Sequence, residues 1–306
     1  MNSGNLTRRG FLAASAGLAA TGLAATGLKA ARIVPQRQSQ TLTAGEVIDR
    51  IKSHVGIPWR SQTVDNLIAG SAGTPVRGIA TVIMATLDAV KRAGAAGLNM
   101  VVTHESTFFS HQDQIEPVSR DPVYLQKLDF LNRQGMAVFH FHDHWHGRQP
   151  DGIAVGMNRA LGWEKYADPQ NPKFFTLPET TLRGLAEEMA ARLNIRTMRV
   201  VGSPEMRVSR VIASWGFASQ MPGIPLLGRP DVDVLVLGET HEWELVEYCQ
   251  DSIASGAKKG LILLGHMSSE QAGMAYCAEW LRSFVSEVPV EFVREEEPFW
   301  RPGEAG

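Results

Sequence analysis

Val138-Phe139-His140-Phe141-His142-Asp143-His144-Trp145-His146 is the stretch whose reading settles what kind of chain this is. It carries four of the nine histidines, at every second position, with Asp143 among them. In an extended segment a period of two sends all four imidazoles to one side. Packing gains nothing from such a face, because neutral imidazole fills a core poorly and charged imidazoles repel. Neutral imidazole is, however, the commonest protein ligand for transition metals. A solvated His-rich edge and a metal site are the two readings. Thr103-His104-Glu105 and Gly265-His266-Met267-Ser268-Ser269-Glu270 favour the metal site. Each closes an apolar, strand-like run, as donors gathered at the strand ends of an α/β sheet would.

Outward from these motifs, apolar runs alternate with helical periodicity. Thr43 to Val55 reads as a helix with a Thr cap and Val47, Ile48 and Ile51 on one face. Val76–Thr86, the helix after it and Leu98–Thr103 form a β-α-β unit ending at His104-Glu105. A helix over Asp121–Arg133 stops at Gly135, and Met136–Phe141 is a third strand that runs into the histidines. Gly152 to Leu161 is helical, and Asp168 to Thr176 is a polar break. The second half gives a helix over Thr180–Leu193 and strands at Thr197–Val201 and Val208–Ser214. Gly216 to Pro230 reads as a Gly/Pro-rich loop. Val232–Leu237 is a strand ending at Gly238-Glu239, and Gly260–Leu264 one ending at Gly265-His266. Ser268 or Ser269 caps a helix to Phe284, and Val288–Val293 is a last strand. This alternation calls for an α/β fold of two lobes, 43–168 and 169–306.

The 306 residues, 44% hydrophobic and 20% charged with a formal net charge of −2, are those of a globular protein without a basic surplus. Nucleic acid is therefore not an expected partner. Cys249 and Cys277 show no CxxC spacing and read as small buried residues. Residues 1–31 carry Thr7-Arg8-Arg9-Gly10-Phe11-Leu12 ahead of an Ala/Gly run, the pattern of a twin-arginine signal peptide. Residues 32–42 are a linker. Export to the periplasm, with no stable membrane anchor after cleavage, is the expectation.

Four patches carry a resemblance to the Nif-three-like family of dinuclear-metal-centre proteins, some of them labelled GTP cyclohydrolase type 2 homologues. They are Asp65-Asn66-Leu67, Val102–Phe109, Val138–His142, and Leu237-Gly238-Glu239 with Gly265–Glu270. The resemblance implies two α/β lobes with a metal site in the cleft between them, and a homohexamer. It departs from the family pattern twice. The usual His-His pair is His104-Glu105 here, and His146 stands where the family has an Asp four residues after the His matched by His142. The exchange preserves three imidazoles and two carboxylates in His104, Glu105, His146, His266 and Glu270. It is either a compensating swap or decay of the site, and decay rarely keeps the count.

The resemblance thus implies a metal set of His104, Glu105, His142, His146, His266 and Glu270, with His142, His146 or both as ligands. About two divalent ions roughly 3.5–4 Å apart are implied, Zn, Mn, Fe, Ni or Co suiting mixed N/O donors. Glu239 is the candidate catalytic residue, as general base or as a carboxylate behind a ligand. His140 and His144 read as polar cleft-lining residues, Asp143 as an imidazole acceptor or a solvated turn residue, and His111 and His241 as loop residues. Trp145 reads as a core or cleft-wall residue. No P-loop, GxGxxG or GxSxG is present. A metal-dependent hydrolase of a small polar or nucleotide-like substrate is expected; the alternative is a non-catalytic metal-storage or scaffold homo-oligomer.

Overall fold

The computed structural model describes residues 41–303. The twin-arginine segment and nearly all of the linker lie outside the described residues. Helix α1 (Ala44–His54) opens with a reciprocal capping box. The Thr43 hydroxyl accepts from the Glu46 backbone N–H, and the Glu46 carboxylate accepts from that of Thr43. β1 (Leu67–Ala69), β2 (Ile79–Val82), α2 (Leu87–Ala95), β3 (Met100–Thr103), α3 (Pro122–Arg133) and β4 (Ala137–His140) follow. Asp121 caps α3 through its carboxylate and Pro122 takes the first helical position, as residues with no N–H to lose there should. Every residue of β2, β3 and β4 is buried, the mark of parallel strands covered on both faces.

The chain continues through α4 (Asp143–Gly147), α5 (Gly152–Leu161), β5 (Phe174–Thr181), α6 (Leu182–Leu193), β6 (Arg199–Val201), β7 (Arg207–Phe217) and α7 (Gln220–Leu227). β8 (Val234–Glu239), α8 (Glu247–Ala254), β9 (Gly260–Leu263), α9 (Gln271–Arg282) and β10 (Val290–Phe292) complete it. The strands make two five-stranded sheets, ordered β1-β4-β3-β2-β10 and β5-β7-β8-β9-β6. In the first only β1 is antiparallel to its neighbour; in the second only the edge strands β5 and β6 are. β10 returns to pair with β2, so the last strand finishes the first sheet. One apolar core includes residues of both sheets, from Met100 and Phe139 to Val211, Val236 and Ile262, with Trp145 wholly buried in it. Cys249 and Cys277 are buried free thiols. Among the described residues no helix is long and apolar enough to cross a membrane.

Several expectations need correction. The strand into the histidines stops at His140, and Asp143–Gly147 is helical, so the four histidines do not share one extended face. Part of the polar break before 177 is strand β5, whose mixed residues suit an edge strand with an exposed face. The Gly/Pro-rich stretch contains α7, which holds Pro222 in its first turn, where no intrahelical N–H bond is lost, and Pro225 in its interior, where one is. The Glu244 carboxylate accepts the Gln220 N–H at its start. Neither Ser268 nor Ser269 caps α9; both lie in a 3₁₀ turn, Met267–Ser269.

Candidate metal centre

The parallel strands of both sheets bring their C-terminal ends to one place, where α/β sheets hold ligands. β3 delivers His104 and Glu105, β4 leads to His142 and His146, β8 ends at Glu239, and β9 leads to His266 and Glu270. His142 is the residue before α4 and His146 lies one turn on, so both point the same way.

Four imidazoles are fixed by an oxygen at Nδ1. His104 Nδ1 faces the Phe141 carbonyl at 3.3 Å. His142 Nδ1 faces Asp143 at 3.1 Å, His146 Nδ1 Asp151 at 3.0 Å, and His266 Nδ1 Glu239 at 2.9 Å. A carbonyl or carboxylate can only accept, so each Nδ1 carries a proton and each Nε2 is left facing the cluster, where a second proton and a metal ion compete for it. The Nε2 atoms turn toward two carboxylates. His266 Nε2 lies 3.1 Å from both Glu105 Oε1 and Glu270 Oε2. His104 Nε2 is 3.6 Å from Glu270 Oε2 and His146 Nε2 3.5 Å from Glu270 Oε1, with the two Nε2 atoms 3.2 Å apart. His142 Nε2 is 3.9 Å from Glu105 Oε1.

Such a gathering of lone pairs and negative charge attracts a cation. Burial lowers the affinity of His266 for a proton, but its contacts with Glu105, Glu239 and Glu270 outweigh this and push its pKa up to about 12. For His146 burial is likewise outweighed by Asp151 and Glu270, giving about 10. His142 goes the other way, to about 3, through burial and the neighbouring His104 and His146. Burial works against the charge of Glu105 and Glu270, yet the surrounding imidazoles hold both carboxyls well below the usual range. Glu270 is 2% exposed, and among the described residues its Oε2 makes no hydrogen bond, His266 Nε2 standing 3.1 Å away without forming one. A buried carboxylate oxygen left this way, among inward imidazole nitrogens already held from behind, fits a divalent cation. Two candidate ligand groups form around it, His104, His142 and His146, and His104, Glu105 and Glu270.

The remaining predicted residues fall elsewhere. His144 is buried, donating to Asp65 at 2.6 Å, accepting the Arg60 N–H at 2.9 Å and stacking 3.7 Å from Trp59. His140 is buried with Nδ1 on Asp113 at 2.6 Å. Neither lines the cleft, which corrects the expectation for both. Asp143 acts as an imidazole acceptor. His241 is a loop residue stacked on Trp243. His111 also lies in a loop, but its Nδ1 is 3.4 Å from Glu105 Oε2 and it makes a third candidate group with Glu105 and His142.

Sequence reading gave no structural role to the residues that hold this arrangement, although Asp65 and Gly238 stand in patches that carry the resemblance. Buried Asp65 accepts the backbone N–H groups of His142, Asp143 and His144 as well as His144 Nδ1, and so fixes the start of α4 from far along the chain. Asp151 orients His146 while capping α5. A Cβ on Gly216, at φ +75°, would sit 2.3 Å from Glu270 Oε1, and one on Gly238 would be 2.3 Å from Ser269 Oγ. Gly216→Ala is therefore expected to displace the Glu270 carboxylate and weaken metal binding about tenfold, besides about 1–3 kcal/mol of backbone strain. Competition against a chromophoric chelator and thermal unfolding would measure the two effects.

No curated protein matches the chain in sequence. Among solved structures it is similar to Staphylococcus aureus protein SA1388, at 16% identity and TM-score 0.66, covering 85% of this chain and 99% of that one. A Bacillus cereus protein related to NIF3 aligns at 15% identity and TM-score 0.64, over 86% and 100% of the two chains. Reduced HcgD from Methanocaldococcus jannaschii aligns at 17% and 0.58, over 82% and 98%. These identities speak for a shared fold, and the family follows from a match of its sequence model to residues 42–298. The chain belongs to the Duf34/NIF3 (NGG1p interacting factor 3) family.

Proposed function

We propose that this protein binds two divalent transition-metal ions and is a metal-dependent hydrolase of a small polar or nucleotide-like substrate. The observation that carries the reading is the set of four imidazoles, each tied at Nδ1, whose Nε2 atoms converge on Glu105 and Glu270. His104, Glu105, His142, His146, His266 and Glu270 would hold the ions. Ions bound there would supply Lewis acidity and acidify water. The protein's part is to fix the donors and to admit a substrate: Glu105, His142, His146, His266 and Glu270 line a cavity of about 1330 Å³. A storage protein, the alternative, would saturate its ions with the extra histidines, His142 and His144 included; His144 is spent on Asp65, and only His142 faces the cluster. Two expectations remain part of the proposal. One is export to the periplasm, supported by Arg8-Arg9; the other is a homohexamer, supported by the family resemblance.

Glu239 has two roles to separate. Its hydrogen bond from His266 lowers its pKa, which makes it a weak base and a good orienting carboxylate. Glu239→Gln keeps an oxygen for His266 Nδ1–H, so it should retain metal, whereas Glu239→Ala should lose about 10–100-fold in affinity. If Glu239→Gln binds metal normally but loses turnover, the residue is the base. The hydrolase reading is tested by phosphoester and amide panels on metal-loaded wild type and His266→Ala. Metal-dependent turnover lost in the variant supports it, and turnover indifferent to the substitution removes it.

A further inference from the structure

The cavity beside the His/Glu cluster has a second wall. Phe217, Phe299 and Trp300 line it while 46%, 63% and 68% exposed, and Trp215 lines it from a partly buried position. Large aromatic faces left open to water are costly unless something covers them, and here they gather in a concavity. Phe299 and Trp300 are held there by built contacts. After β10 the Val293 N–H bonds Thr81 O, and the Glu295 carboxylate accepts from Met84 N–H and Thr86 Oγ1, both at 2.8 Å. The chain then reaches the segment before β6. There the Glu297 carboxylate, 7% exposed, accepts from Arg196 N–H at 2.7 Å, Thr197 N–H at 3.1 Å and the Thr197 hydroxyl. The Arg196 guanidinium donates back to the carbonyls of Glu297 at 2.8 Å and Phe299 at 3.2 Å.

We infer that Trp215, Phe217, Phe299 and Trp300 form an aromatic wall that receives a planar ring of the substrate while its polar end sits at the His/Glu cluster. This names the substrate class for the site above and rests on the metal reading only for the polar end. Flat rings gain from offset and edge-to-face contact beyond the area they bury, which a puckered ring of equal size cannot match.

The test uses the full chain, with and without bound metal, titrated with benzohydroxamate and with cyclohexanecarbohydroxamate. These probes share a chelating head and differ in the flatness of the ring. In the wild type the aromatic probe is expected to bind about three- to tenfold tighter. Phe299→Ala/Trp300→Ala, which alters exposed residues outside the core, is expected to remove most of that ratio. Equal affinities in the wild type, no binding of benzohydroxamate, or a ratio that survives the double substitution would each overturn the wall. Probes indifferent to metal would count against the metal reading, while their ratio still reports on the wall.

Discussion

Glu270→Gln is expected to abolish tight metal binding, with an affinity loss of at least about 100-fold. Glu270 places Oε1 3.5 Å from His146 and Oε2 3.1 Å and 3.6 Å from His266 and His104, so one carboxylate serves donors from three segments. The change preserves shape, and the far-UV circular dichroism of the metal-free protein should not change. Wild type should gain about 2.7 kcal/mol of stability from metal at 100 times its dissociation constant, and the variant almost none at the same concentration. Thermal unfolding with and without metal reads this directly. A variant stabilised by metal as much as the wild type would show that Glu270 is not a ligand.

The second large effect falls on a residue that touches no candidate ligand nitrogen at the centre. Asp65→Asn is expected to cost about 3–5 kcal/mol in the metal-free protein, because the amide NH2 that replaces one oxygen must face N–H donors it cannot accept from. Both oxygens of Asp65 are committed, Oδ1 to the N–H groups of His142 and Asp143 and Oδ2 to the N–H and Nδ1 of His144. The corresponding fall in Tm is about 10 °C. Metal affinity should fall as well, since His142 and His146 flank the turn that Asp65 holds. Calorimetry of the metal-free variant separates the structural loss from the binding loss. An unchanged Tm would mean that α4 keeps its place without this carboxylate.

Much of the centre was legible because its donors are chemically unusual for their positions. His104-Glu105, His266 and Glu270 each follow an apolar strand, and that local pattern needs no partner to be read. The four-histidine tract was legible as a group but not residue by residue. Its alternation suggests one face, yet Asp65, nearly eighty positions upstream, starts a helix at Asp143 and rotates His144 away. His140 is diverted by Asp113 in the same manner. These choices are made by carboxylates from other segments, buried Asp65 and partly buried Asp113, which periodicity does not register. β5 and α7 were hidden for local reasons, a polar outer face in one and two prolines, one of them the interior Pro225, in the other. Gly216 read as the first residue of a loop, whereas it lies in β7 and its missing Cβ makes room for Glu270.

The central claim is that these imidazoles and carboxylates are a metal centre. It is tested most directly by elemental analysis of the folded protein after equilibrium dialysis against Zn, Mn, Fe, Ni and Co in turn. About two ions per chain for at least one of these metals, falling to about one or fewer in His266→Ala, is the predicted result. A folded wild-type chain that retains no stoichiometric metal from any of them would contradict it.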